Sequence, residues 1–181
     1  FEMSPFEAIQ SYQVIAADGF YSPLRSIRDI KDLKGDIDLS YPYKIEQRLR
    51  PEPIHLLKFA MKQTFISGTA RGYPTKNLES WQAGGKTGTS QNYQNENKNL
   101  NTFISIFPIQ KPKYALLVML EDPQVANELT YNYRGIKIKG SRNEAGWNSV
   151  YVAGKIIERI GPILAINKNN STNINVVKKF N

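Results

Sequence analysis

The stretch GGKTGTSQNY, Gly84 to Tyr93, places a lone lysine among glycines and hydroxyl side chains and then turns polar. Extended backward to Trp81 it reads as a strand, the first of three. Thr102 to Pro108 and Tyr114 to Glu121 follow as strand-length apolar segments, joined by Gln110-Lys111-Pro112-Lys113, which has the composition of a hairpin loop. The first of this pair sets Ile104 and Ile106 on one face and Phe103 and Phe107 on the other, and the second is almost continuously apolar. Strands that are apolar on both faces sit inside a sheet covered on both sides, so helices must pack against this one from two directions. The fold class that follows is α/β, an antiparallel sheet flanked by helices.

The helices are marked at their ends. Ser4-Pro5-Phe6-Glu7 combines a hydroxyl able to accept the orphan amide of Glu7, a carboxylate able to reach back, and a proline preset for the first helical position. Phe6, Ile9, Tyr12, Ile15 and Ala16 then recur at helical spacing until Asp18-Gly19, which predicts a helix over 5–17. Tyr21 to Ile30 is expected to be extended and Lys31 to Asp38 to form a turn or loop. Pro51-Glu52-Pro53 opens a second helix with the stripe Ile54, Leu57, Met61 and Phe65, closed at Ser67-Gly68, and an irregular loop over Thr69 to Glu79 leads to the lysine strand. A last helix carries Trp147, Val150, Tyr151, Gly154, Ile157 and Ile160 on one face and stops at Gly161-Pro162. One domain is expected over 1–166, with a loose tail over 167–181 where Asn and Lys replace large apolar residues.

Composition removes several functions. The chain has 181 residues, a formal charge of +8, no cysteine and a single histidine, His55. Thiol nucleophiles, disulfides and zinc-thiolate sites are therefore excluded, and no cofactor or metal is expected. The basic residues fall in small groups, Lys111/Lys113, Arg134/Lys137/Lys139/Arg142 and Lys178/Lys179, without a continuous stripe, so they read as solvated surface and not as a nucleic-acid site. His55 has no partner for catalysis, Glu121-Asp122-Pro123 reads as a strand-ending turn, and Trp81 and Trp147 read as packing residues. Gly84-Gly85-Lys86-Thr87 is only the end of a P-loop, because the earlier glycine falls at Ser80. The longest apolar run, Tyr114 to Leu120, is too short to cross a bilayer. The sequence opens on Phe1 and not on methionine, and is expected to be a piece of a longer protein.

The order helix, loop, Lys86-Thr87-Gly88 strand, antiparallel hairpin, C-terminal helix resembles the C-terminal part of penicillin-recognising transpeptidases. Other segments carry the same resemblance. Met3-Ser4-Pro5-Phe6-Glu7 with Asp18-Gly19 is similar to the family's Ser-Pro-x-Glu helix, and Ser67-Gly68-Thr69-Ala70 to its Gly-Thr-x-x-Ala loop. Phe107-Pro108 and the segment from Lys113-Tyr114 through Asp122-Pro123 resemble the hairpin of class B penicillin-binding proteins. Ala145-Gly146-Trp147-Asn148 and the helix ending Ile157-Glu158-Arg159-Ile160-Gly161-Pro162 resemble the C-terminus of the septal, cell-division type from alphaproteobacteria. Together these run from about Glu2 to Ile166.

The resemblance implies the penicillin-binding transpeptidase (β-lactamase-like) fold and a peptidoglycan D,D-transpeptidase activity in cell-wall synthesis. A serine of an SxxK motif attacks the penultimate D-alanine carbonyl of a stem peptide and forms an acyl-enzyme that a second strand's amine resolves. Lys86 is carried over as the ammonium facing that serine, with the identity of the base left open. Thr87 and Thr89 are carried over as hydroxyls for the carboxylate of the peptide or of a β-lactam antibiotic. The Thr89 N–H is carried over as an oxyanion donor, a contribution worth about 3 kcal/mol in other acyl transferases. Gly88 leaves room for a peptide to lie beside the strand. D,D-carboxypeptidases and β-lactamases share the Lys-Thr-Gly, and the C-terminal helix argues against them. The implied location is the periplasmic side of the bacterial inner membrane, with division-complex membrane proteins as partners.

No SxxK occurs in the sequence, and the nearest, Ser22-Pro23-Leu24-Arg25, ends in an arginine that cannot act as a base. SxN occurs as Ser90-Gln91-Asn92, Ser141-Arg142-Asn143 and Ser171-Thr172-Asn173, none upstream of the Lys-Thr-Gly where the family keeps it. Both motifs are expected to precede Phe1, so that the chain is the C-terminal portion only, forms no acyl-enzyme alone, and exposes an apolar sheet edge prone to association. The rival expectation is a non-catalytic remnant or binding module of the same fold that contacts peptidoglycan or a division partner.

Overall fold

The computed structural model describes residues 3–71, 81–92, 95–125, 127–128, 130–133, 136–140, 143–161 and 164. The tail over 167–181, the loop beyond Arg71 up to Glu79, and Tyr93 lie outside the described residues. Helix α1 spans Pro5–Ala16 and begins with the anticipated reciprocal cap. The Glu7 N–H donates to Ser4 Oγ at 3.2 Å, and the Ser4 N–H donates to the Glu7 carboxylate at 2.8 Å. It ends where Asp18 and Gly19 take φ values of 55° and 94°. Glycine is needed at 19 twice over, because a Cβ there would also lie 2.2 Å from the Leu49 carbonyl oxygen. That approach lets the Gly19 carbonyl accept from the Arg48 and Leu49 N–H groups, which ties the end of α1 to the entry of the next helix.

Between them a nested pair of ribbons replaces the expected long extended run and loop. Strand β1 (Phe20–Tyr21) pairs with β4 (Glu46–Gln47), and β2 (Asp29–Lys31) pairs with β3 (Ile37–Ser40). The turn is narrower than Lys31 to Asp38, because the Asp32 carboxylate accepts from the N–H groups of Lys34 and Asp36 at 2.9 and 2.8 Å and Gly35 takes φ 92°.

Helix α2 spans Pro51–Ile66 and buries Ile54, Lys58, Met61 and Phe65. Its anticipated stripe is corrected at one place: Leu57 is 41% exposed and Lys58 is buried instead. The lysine is accommodated because its ammonium meets Asp18 Oδ1 at 2.6 Å and the Ala16 carbonyl at 3.3 Å, at the C-terminal end of α1.

The sheet consists of β5 (Gly84–Asn92), β6 (Asn95–Phe107) and β7 (Tyr114–Glu121), antiparallel in that order. Its two faces are covered separately, as the two-sided apolar pattern requires. On one face Phe103, Phe107 and Val118 pack with Phe65, Trp81, Val150, Ala153 and Ile157. On the other Ile106 packs with Met61 and Ile109, joined by Tyr12 and Ile15 of α1. Strand β7, expected to be central, is instead an edge in the described sheet. With no strand beyond it among the described residues, Ala115 and Met119 stand exposed. A further hairpin, β8 (Thr130–Tyr133) with β9 (Ile136–Lys139), was not anticipated; its signal is the alternation Ile136-Lys137-Ile138-Lys139. Helix α3, Ser149–Ile160, is capped by the Asn148 side chain and buries Ser149, Val150, Ala153, Gly154 and Ile157.

Candidate functional site on the edge strand

Strand β5 enters through two tight positions. A Cβ at Gly84 would lie 2.3 Å from the Ile109 side chain, and one at Gly85 would lie 2.6 Å from the Ile104 carbonyl oxygen and 2.8 Å from the Phe103 ring. These glycines bring β5 hard against β6 and the loop beyond it, and beyond them the strand opens. Lys86 is opposite Ile104, Thr87 opposite Phe103, Gly88 opposite Thr102 and Thr89 opposite Asn101. Side chains alternate along a strand, so Thr87 and Thr89 share the face turned to α3, and Lys86 and Gly88 share the other. The four predicted site residues are thus contiguous but divided between two faces.

On the α3 face Thr87 is buried and its hydroxyl is hydrogen-bonded to that of Thr69, in the loop closing α2. Thr89 is exposed, and its Oγ1 accepts the Ala145 N–H at 3.1 Å. Each arrangement leaves a hydroxyl hydrogen to give. Thr89 uses a lone pair toward Ala145, so its own O–H is directed elsewhere, and in the Thr69–Thr87 pair one O–H donates inward while the other remains. A hydroxyl that already accepts is polarised as a donor. On the opposite face Lys86 is exposed, and its ammonium donates to the Thr87 carbonyl at 2.7 Å, which fixes the positive charge beside the strand. Donor hydroxyls on one face and a cation held at the strand's own backbone are each groups that suit a carboxylate.

Backbone geometry adds a second recognition element. β5 lies at the end of the described sheet, so every second N–H and C=O along it points away from β6 and can pair with an extended peptide. A Cβ built at Gly88 would meet nothing closer than 3.9 Å, so the chain's own packing does not call for glycine there. Thr69 was legible only as part of the Ser67-Gly68-Thr69-Ala70 segment, without a role. Ala145 likewise was legible only as part of the Ala145-Gly146-Trp147-Asn148 segment, because its amide reaches the strand from 56 residues away. His55 is exposed on α2, and Asp122 closes β7 with φ 47° and an N–H to the Asn99 carbonyl at 2.7 Å, consistent with structural roles for both.

A family model of the penicillin binding protein transpeptidase domain matches residues 1–141. The chain is 31% identical over 90 residues to penicillin-binding protein 1B of Vibrio cholerae, an alignment that takes in 50% of this chain and 12% of that protein. It is 25% identical over 118 residues to a Caulobacter vibrioides protein named Probable peptidoglycan D,D-transpeptidase FtsI, covering 60% of this chain and 18% of the relative. Among solved structures, a peptidoglycan synthetase from Bifidobacterium adolescentis superposes with a TM-score of 0.70 at 16% identity, over 94% of this chain and 28% of that one. The chain thus spans less than a fifth of the length of these two relatives and 28% of that solved chain, and the structural likeness establishes the fold.

Proposed function

The chain belongs to the penicillin-binding protein transpeptidase family, and we propose that it forms one side of the active site of a serine peptidoglycan D,D-transpeptidase whose nucleophile lies outside these residues. The stem peptide lies antiparallel along the open edge of β5, over Gly88. Its terminal carboxylate takes the hydroxyl hydrogens of the Thr69–Thr87 pair and of Thr89, with the Lys86 ammonium supplying charge. The Thr89 N–H points to the oxygen of the penultimate D-alanine carbonyl. Attack by the serine then forms the acyl-enzyme and expels D-alanine as the amine takes up a proton. A second stem peptide's amine displaces the serine, which recovers its proton, and closes the cross-link. A β-lactam enters the same site because its carboxylate and its amide carbonyl sit in comparable positions.

The observation that carries this reading is Gly88: a glycine in the middle of an edge strand of the described sheet, where a side chain would meet only ordinary contacts, flanked in sequence by Lys86-Thr87 and Thr89. On this reading the serine is supplied from outside these residues, and the site works on the periplasmic side of the inner membrane. The Ala145-Gly146-Trp147-Asn148 resemblance and the match to the Caulobacter relative support the septal type and, with it, partners in the division complex. Intact-mass measurement after penicillin treatment tests the proposal. The 181-residue chain is expected to remain unmodified, and the product of the whole reading frame to gain one penicillin on an SxxK serine. An adduct on the short chain, or none on the long one, overturns it. Depletion in the source organism is expected to give filaments; weakened walls with normal division overturn the septal assignment.

A further inference from the structure

Behind Thr89, on the face turned to α3, stands Asn101, fully buried and directly opposite it in register. Its Nδ2 donates to the Asn143 carbonyl at 3.3 Å, while its Oδ1 is buried without a partner among the described residues. For stability alone an apolar side chain would serve better here, because a buried amide acceptor left unmatched carries an uncompensated desolvation penalty. The other end of the amide accounts for it. Asn143 opens the turn that delivers the Ala145 N–H to Thr89 Oγ1 at 3.1 Å. The far side of that turn is held to α3, where the Ala145 carbonyl accepts from Ser149 Oγ and from the Val150 N–H at 3.1 and 3.0 Å. The turn also presses on the second hydroxyl pair: a Cβ at Gly146 would lie 2.4 Å from the Thr69 carbonyl oxygen, so backbone meets backbone there.

We propose that Asn101 is a positioning residue which, by holding the 143–146 turn, fixes the Ala145 N–H on Thr89 and so aims the Thr89 hydroxyl hydrogen at the ligand's carboxylate, a role that rests on the transpeptidase reading above. The chain of contacts runs from β6 to the turn, from the turn to β5, and from β5 to the ligand. Asn101 touches none of the reacting atoms.

Amide hydrogen exchange by NMR, in the protein and in its Asn101→Leu and Asn101→Asp variants, tests this. Leucine keeps the branched shape, removes the donor and removes the unmatched acceptor. Its Tm is expected to equal or exceed that of the parent, while the Ala145 amide exchanges on the order of tenfold faster and the amides pairing β5 with β6 stay protected. Asn101→Asp, which keeps size but not the donor, is expected to free Ala145 likewise. A purely structural role moves Tm and the ladder amides together. Unchanged Ala145 exchange in Asn101→Leu, or ladder amides loosened to the same degree, overturns the proposal. Titration with N-acetyl-D-alanyl-D-alanine separates it from its premise: shifts at Thr87 to Thr89 are expected in the parent and at severalfold higher peptide in Asn101→Leu. No shift in the parent overturns the carboxylate role and the transpeptidase reading, whereas Ala145 exchange alone decides whether Asn101 holds the turn.

Discussion

Glycines of one strand divide by what surrounds them. At Gly85 a methyl group would strike the Ile104 carbonyl and the Phe103 ring, neither of which can yield without moving β6. Gly85→Ala is expected to lower stability by about 1–3 kcal/mol in urea unfolding. Gly88 faces only the Thr102 side chain and carbonyl at 3.9 and 4.0 Å, so Gly88→Val is expected to leave the urea midpoint unchanged or slightly raised, since valine suits a strand. On the proposed function the same change fills the space that the peptide takes, and D-alanyl-D-alanine affinity is expected to fall about tenfold or more through steric exclusion at the strand edge. Retained affinity in Gly88→Val would remove the main support for the site. Lys86, Thr87, Gly88 and Thr89 could be picked out in the sequence because they are consecutive and their types are chemically telling. Thr69 and Ala145 were legible only as members of resembling segments, without roles, since they come to the strand only through tertiary structure and one of them contributes nothing but backbone.

Local signals served the elements best where both ends are written in adjacent residues. The cap of α1 at Ser4 and Glu7 and its stop at Asp18-Gly19 are of that kind, and the helix falls where they place it. The α2 stripe went wrong at a single position because apolar periodicity favours Leu57, whereas Lys58 finds its acid 40 residues away. That pair is asymmetric: the lysine side chain is 9% exposed and the aspartate 49%. Removing the acid strands an ammonium among buried atoms, while removing the ammonium leaves a carboxylate that water can reach. Asp18→Asn, which keeps a residue tolerant of positive φ, is therefore expected to destabilise by about 1–3 kcal/mol and Lys58→Met by less, in thermal or urea unfolding. The reverse order would mean that packing, and not charge, fixes the junction of α1 with α2. Tyr12 of α1 gives the junction an alkaline limit, because burial against the Met61, Ile106 and Ile109 cluster raises its phenol above the usual 10.0. The folded state disfavours the phenolate, so this contribution is intact below the unfolded value near 10 and is lost as pH rises from there through the raised folded value. From about pH 8 to about pH 11 the parent's urea midpoint is expected to fall more steeply than that of Tyr12→Phe, as Tyr12 ionises in the parent's unfolded state before it does in the folded one. Parallel profiles would show that the ring is hydrated.

At the scale of the molecule, α2 is the wedge that joins the two cores, with Phe65 edge-on to Phe103 at 5.9 Å on one side and Met61 against Ile106 on the other. Coverage from both sides was legible because β6 alternates large apolar groups toward each face, but strand order was not, because an apolar run reads the same in the middle of a sheet and at its rim. Among the described residues strand β7 occupies the rim, and it carries Met119 at 39% exposure. An edge with unpaired backbone groups and apolar side chains is a template for another strand, and charges placed on such edges oppose that pairing. Sedimentation velocity over a range of concentrations is expected to show reversible self-association, with Met119→Lys weakening it on the order of tenfold at unchanged Tm. The outer face of α2 offers a competing contact through Leu56, Phe59 and Ile66, all exposed. If Phe59→Glu abolishes association while Met119→Lys leaves it intact, the helix is the contact surface. A sedimentation coefficient independent of concentration would show that neither surface associates, and that the twist and loops around β7 suffice to keep copies of the chain apart.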